Sequence, residues 1–175
     1  MANSSIITKM KDKVISEIIN DEALFYAIDS PEYKDPNYAD DLIGTHIFRY
    51  HQNPNTLNKA ITFLTIQVHI PKTYDSNKTW VLPRLEIWII SHEKCMNVDN
   101  IPKITANRND YISQLLDLKF NGRDSIGISS DPKDNLSLYG ELDLVSNVEG
   151  AYSADYLYRQ MIFETKDLND SLCGY

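Results

Sequence analysis

The chain has 175 residues, 42% hydrophobic and 24% charged, which suits one folded domain with a sizeable core and excludes a disordered or fibrous chain. No run approaches the ~18 apolar residues that a membrane helix requires, and the opening MANSSIITKMKDKV has no uninterrupted apolar segment of the secretory type. Seventeen Lys and Arg stand against 25 Asp and Glu, a net charge of -8, and the basic residues are scattered apart from Lys9, Lys11 and Lys13. This argues against a nucleic-acid-binding surface, which needs clustered cations to displace counterions, while an acidic surface that DNA merely passes is compatible with the balance. Cys95 and Cys173 are too few for a disulfide framework or thiolate cage, so a reducing cytoplasm is the expected setting.

The first predicted element is a helix, capped by Ser4 or Ser5, in which Ile7, Met10, Val14, Ile15, Ile18 and Ile19 recur at three- and four-residue spacing. A short helical piece, Asp21 to Ile28, follows, then SPEYKDPNY, where Pro31 and Pro36 predict an exposed loop. THIFRYHQ (Thr45 to Gln52) reads as a strand ended by the turn around Pro54. ITFLTIQVHI (Ile61 to Ile70) alternates with period two, placing Thr62, Leu64, Ile66, Val68 and Ile70 on one face and Phe63, Thr65, Gln67 and His69 on the other. Across a polar loop, Lys72 to Thr79, its antiparallel partner is Arg84 to Ser91, with Leu85, Ile87 and Ile89 facing one way.

After the segment containing Pro102, a second strong helix is predicted. Thr105 or Asn107 caps it, Tyr111, Ile112, Leu115, Leu116 and Phe120 form its stripe, and Gly122 stops it. Arg123 to Asn135 reads as a loop, followed by strands Leu136 to Ser146 and Tyr156 to Glu164. Leu136, Leu138, Leu142 and Leu144 share a face, as do Leu157, Met161 and Phe163 with Arg159 between them. The polar tail from about residue 167 should be loosely held. The order helix, three strands, helix, two strands predicts a single α+β domain over 1–175: an antiparallel (mixed) β-sheet with two amphipathic helices on one face. The other face carries Phe63, Trp88, Ile90, Tyr139, Val145, Tyr156 and Tyr158 among polar groups. Such a mixed face, in a chain with 11 tyrosines, predicts contact with another protein, the alternative being cover by the chain's own loops.

Candidate chemistry is sparse. His46, His51, His69 and His92 sit on successive predicted strands but have no paired metal-ligand spacing. Glu93-Lys94 and Glu164-Thr165-Lys166 are the only strings like those of a metal-dependent nuclease, without the upstream acid such a site needs. Ser146 lacks a nucleophile elbow. Cys95 lies near His92, but the expected role is that of a small buried hydrophobe. No glycine-rich phosphate loop occurs. The expectation is therefore a non-enzyme with no catalytic, cofactor or metal residues.

NRNDYISQLLDLKFNG, followed by GELDLVSNVEGAYSADYLYRQMIFETKDLN, resembles the C-terminal half of small bacteriophage neck and tail-completion proteins. The element order and length are similar to the tail-terminator fold of long-tailed phages. The resemblance covers most of the chain in element order and about a third in wording. It rests on the helix around Tyr111, the strand running into Val145, Ser146 and Asn147, and the closing strand with Arg159. It implies a virion protein, assembled in the host cytoplasm, that forms a homo-oligomeric ring, commonly a hexamer. Such a ring caps the tail tube, receives the head-tail connector and lets genomic DNA cross its lumen. Head-closure and adaptor proteins of the same neck are the neighbouring alternatives, and a metal-dependent nuclease the more distant one.

Overall fold

A computed structural model describes residues 4–57, 59–71 and 80–168. The periodic stripes become helices α1 (Ser4–Ile19), α2 (Glu22–Ile28) and α3 (Arg108–Phe120). Both short-range caps follow Asx chemistry: the Asp21 side chain accepts from the Leu24 N–H, and the Asn107 side chain from the Asp110 N–H. Ser4 and Ser5 lie inside α1 rather than capping it. Gly122, at φ 76°, takes the left-handed conformation that stops α3.

Among the described residues the strands are β1 (Ile47–Phe48), β2 (Thr62–His69), β3 (Trp80–Val81), β4 (Arg84–His92), β5 (Ser125–Ile126), β6 (Leu136–Ser137), β7 (Asp143–Ala151), β8 (Tyr156–Glu164) and β9 (Asp167–Leu168). Five of them form the main sheet in the order β1-β2-β4-β8-β7. All its pairs are antiparallel except β1 with β2, so the α+β class and the mixed sheet stand.

The period-two reading of β2 and β4 fixes the packing. Leu64, Ile66, Val68, Leu85, Ile87 and Ile89 join Met161 and Phe163 of β8 under the helices, where they meet Met10, Val14, Ile15, Ile18, Ile112, Leu116 and Phe120. The two rings at the centre, Phe120 and Phe163, meet edge to face at 6.2 Å. Glu17 is a carboxylate inside this layer, satisfied by the Arg123 guanidinium at 2.8 Å and the Gly127 N–H at 2.5 Å. Buried Arg108 staples the connections above α3, donating to the carbonyls of Ala27, Cys95 and Asn97.

Several expectations are corrected. The strand expected over Thr45–Gln52 is two residues long, because after Phe48 the chain leaves the sheet: Arg49 pairs with Asp12 on α1. SPEYKDPNY is not a plain loop; a 3-10 helix, Pro36–Leu42, starts on Pro36, whose missing N–H costs nothing at that position. The expected loop Arg123–Asn135 contains β5, which pairs with β6. The strand expected over Leu136–Ser146 is broken: β6 ends at Ser137, and β7 starts at Asp143 and runs on to Ala151. The tail is held as far as Leu168, since β9 pairs antiparallel with β3. The predicted loop Lys72–Thr79 and Cys173 lie outside the described residues.

Candidate interaction face

The face of the sheet away from the helices divides along its length. At one end Phe48, Phe63, Ile90 and Tyr156 are buried in a second small cluster, and Leu57, Trp88, Tyr152 and Tyr158 pack against it. The cover is local chain: the Tyr156 hydroxyl donates to the Lys59 carbonyl at 2.8 Å, and Phe48 meets Phe63 edge to face at 5.7 Å. Loop cover thus accounts for Phe63, Ile90 and Tyr156.

The middle of the face is left open by the described residues and carries an aromatic path. His51 meets the Trp88 ring at 5.4 Å, and Trp88 meets Tyr158 at 4.7 Å. The Tyr158 ring lies over Gly150 of β7, where a Cβ would come within 2.7–2.9 Å of its outer atoms. Glycine at position 150 therefore lets an aromatic ring lie flat against the edge strand.

Beside this path Glu86 is a hub. It accepts from the Trp88 indole N–H at 2.6 Å, pairs with His69 Nε2 at 2.7 Å and accepts from the Gln160 amide. Burial alone would raise the Glu86 carboxyl, but the bonds from Gln160, His69 and Trp88 outweigh it and hold the pKa below the usual carboxylate value. All three donors are side chains of the same face, so the hub fixes their rotamers and pre-organises the surface. The strand alternation had already placed Trp88 here; that Glu86 shares its face, two residues away, was the signal for the hub.

At the outer edge lies β7. No strand pairs with its far side among the described residues, and most of its residues are exposed, with Val145 at 53% and Val148 at 46%. A bulge between Leu144 and Ser146 turns Val145 outward. The start of the strand is covered, where the Leu144 N–H donates to Asn121 Oδ1 at 3.0 Å. Arg159 of β8 ties this edge to α3, pairing with Asp110 and with Glu149 and donating to Asn147 Oδ1. Tyr139, grouped with this face from the sequence, stands apart, 63% exposed and edge to face with Trp80 at 5.4 Å.

The chemistry-bearing residues weighed from the sequence are dispersed. His46 is buried and 6.5 Å from the Tyr33 ring; burial lowers its pKa to about 4. His51 contacts the Tyr152 hydroxyl at 3.0 Å, and His92 Nδ1 accepts from the Lys94 N–H. Among the described residues no three His, Cys, Asp or Glu side chains are placed to hold a metal ion. Glu164 is engaged by Arg84 at 2.5 Å, while Lys166 lies over the Trp80 ring at 4.5 Å. Cys95 is half-buried rather than buried, and burial raises its thiol pKa, opposite to the shift of a reactive thiolate. Its Sγ–H donates to the Ala60 carbonyl, not to His92.

What the described residues offer outward is thus a pre-organised polar and aromatic face that ends in an edge strand. A YomW family model matches residues 21–165, from the cap of α2 to the residue after β8. The chain belongs to the YomW family. That family is phage-derived, of the Bacillus phage SPBc2 type, so the chain is a phage protein. The match spans every strand of the main sheet and leaves out α1. A search of curated proteins finds no match.

Proposed function

We propose that this YomW-family chain is a structural virion protein of a tailed phage: a tail-terminator-like subunit whose ring, a hexamer in this reading, caps the tail tube and joins it to the neck. It acts by fitting against other proteins and not by catalysis. The observation that carries the reading is the face from His51 through Trp88 and Tyr158 to the edge of β7, which the described residues leave open. A fixed aromatic and polar surface beside an edge strand is what a contact surface needs. The partners are further copies of the chain, the tail-tube protein and the head-tail connector. DNA crosses the lumen without specific binding, in keeping with the net charge of -8. Assembly takes place in the host cytoplasm, and the finished protein resides in the virion.

Deleting the gene from the phage and imaging the lysate tests this reading. Filled heads accumulating beside separate tails, some of irregular length, with joining restored by the gene supplied in trans, is the expected result. Normal joined particles from the deletion would overturn it.

A further inference from the structure

Beside the small cluster of Phe48 and Ile61 lies a cavity of about 410 Å³. Pro31, Phe48, Leu57 and Ile61 give it apolar walls, and Glu32 and Lys59, paired with each other, stand at its rim. His46 also lines it, although only 3% of that residue is exposed. The His46 Nε2 is buried and has no hydrogen-bond partner among the described residues. A buried polar atom left in this state costs free energy, so an orphan in the wall of a cavity marks a place where a ligand gains by binding.

Local bonds decide what that ligand must bring. The Thr45 hydroxyl donates its one proton to the Asp41 carbonyl at 2.7 Å. Its oxygen is then left to accept, and the group that faces it at 3.2 Å is His46 Nδ1. The proton of the neutral imidazole therefore sits on Nδ1, and Nε2 presents a lone pair. Burial, which lowers the His46 pKa to about 4, keeps the ring neutral at neutral pH. A ligand must thus supply an N–H or O–H, and not a second acceptor. It should carry no net charge, because Lys59 and Glu32 already neutralise each other at the rim. Its body should be a flat ring: Phe48 lies 5.8 Å from the ring of Tyr50, which is exposed and lines the same cavity, and such surfaces pack well against a further ring.

We propose that this cavity binds an uncharged aromatic ring carrying a single N–H or O–H donor, an indole or a phenol, with His46 Nε2 as the acceptor. The donor satisfies the orphan, and Phe48, Leu57 and Ile61 take the hydrocarbon. Nε2 is shielded from solvent, so the side chains around it give way by the width of the donor. The site goes beyond the neck reading and does not depend on it.

Titrating isotope-labelled protein with indole, followed by NMR, tests the site. Indole should shift the resonances of His46, Phe48 and Ile61 saturably, and the Nε2 nitrogen should move as it accepts a bond. Benzofuran has the same shape with an oxygen in place of the N–H. It should bind roughly 10-fold more weakly or worse, the size of a hydrogen bond lost at a buried acceptor. In His46→Leu the two probes should bind alike, a change that a purely structural role for His46 would not produce. If that variant fails to fold, the wild-type preference and the Nε2 shift still decide. N-acetyltryptophanamide separates the sources of the ring. Its binding at the same residues points to a partner protein's side chain, and its exclusion where indole binds points to a free small molecule; both support the site. No saturable shift at His46, equal affinity for indole and benzofuran, or a preference that survives in His46→Leu overturns it. None of these outcomes touches the deletion phenotype, which judges the neck reading independently.

Discussion

The two faces of the central sheet are built from the same strands and do opposite things. Toward the helices, Leu85, Ile87, Ile89, Met161 and Phe163 are completely buried. On the reverse, Glu86, Trp88, Gln160 and Ile162 are only half-buried, and on β7 Val148 is exposed. Strand alternation makes both from one stretch of chain, so stability and recognition are written at alternate positions. A change on the first face should act on folding, and a change at the exposed positions of the second on what the protein touches.

The largest effect that separates them is Phe163→Ala. It removes a fully buried ring in edge-to-face contact with Phe120 and should cost about 3–5 kcal/mol in chemical denaturation. Val148→Ser, on the open edge, should stay within about 0.5 kcal/mol. A comparable loss from both would erase the distinction. Arg108→Met is next: it leaves the carbonyls of Ala27, Cys95 and Asn97 without their buried donor and should cost about 2–4 kcal/mol.

His46 gives a smaller effect with a pH signature. Burial holds its pKa at about 4, below the ordinary value of 6.5, so the folded state binds its proton more weakly than the unfolded one. The stability it permits is complete above pH 6.5 and declines as pH falls toward 4, by up to about 3 kcal/mol. His46→Leu should flatten that part of the stability-pH curve, and an unchanged slope would contradict the assignment. A smaller effect again belongs to the open face. Gly150→Ala places a Cβ against the Tyr158 ring and should cost about 1 kcal/mol while shifting Trp88 fluorescence, because Tyr158 packs on Trp88.

The closed face was legible in the sequence because its signals are local. The α1 stripe, the alternation of β2 and β4, and the Asn107 and Gly122 boundaries of α3 each sit within a few residues of what they determine. What was not legible depends on distant partners. Ile47 and Phe48 look like the middle of a longer strand, but Arg49 is drawn away to Asp12, 37 positions earlier. Asp167 and Leu168 look like tail until they pair with Val81 and Trp80. The break between Ser137 and Asp143 follows the pairing of β6 with β5, which a polar stretch conceals. On the open face the aromatics were visible from period two, whereas the Glu86 hub and the ring of Tyr158 over Gly150 needed the register of β4 against β8 and of β8 against β7.

The claim on which this account turns is that the open face and the β7 edge are covered in a phage particle by other protein chains. A cryo-electron-microscopy reconstruction of the neck of the intact particle measures that directly. The account predicts a ring of this chain between connector and tail tube, with Trp88, Tyr158 and Val148 buried against its neighbours. A neck without this density, in particles from which the chain is absent, would contradict it.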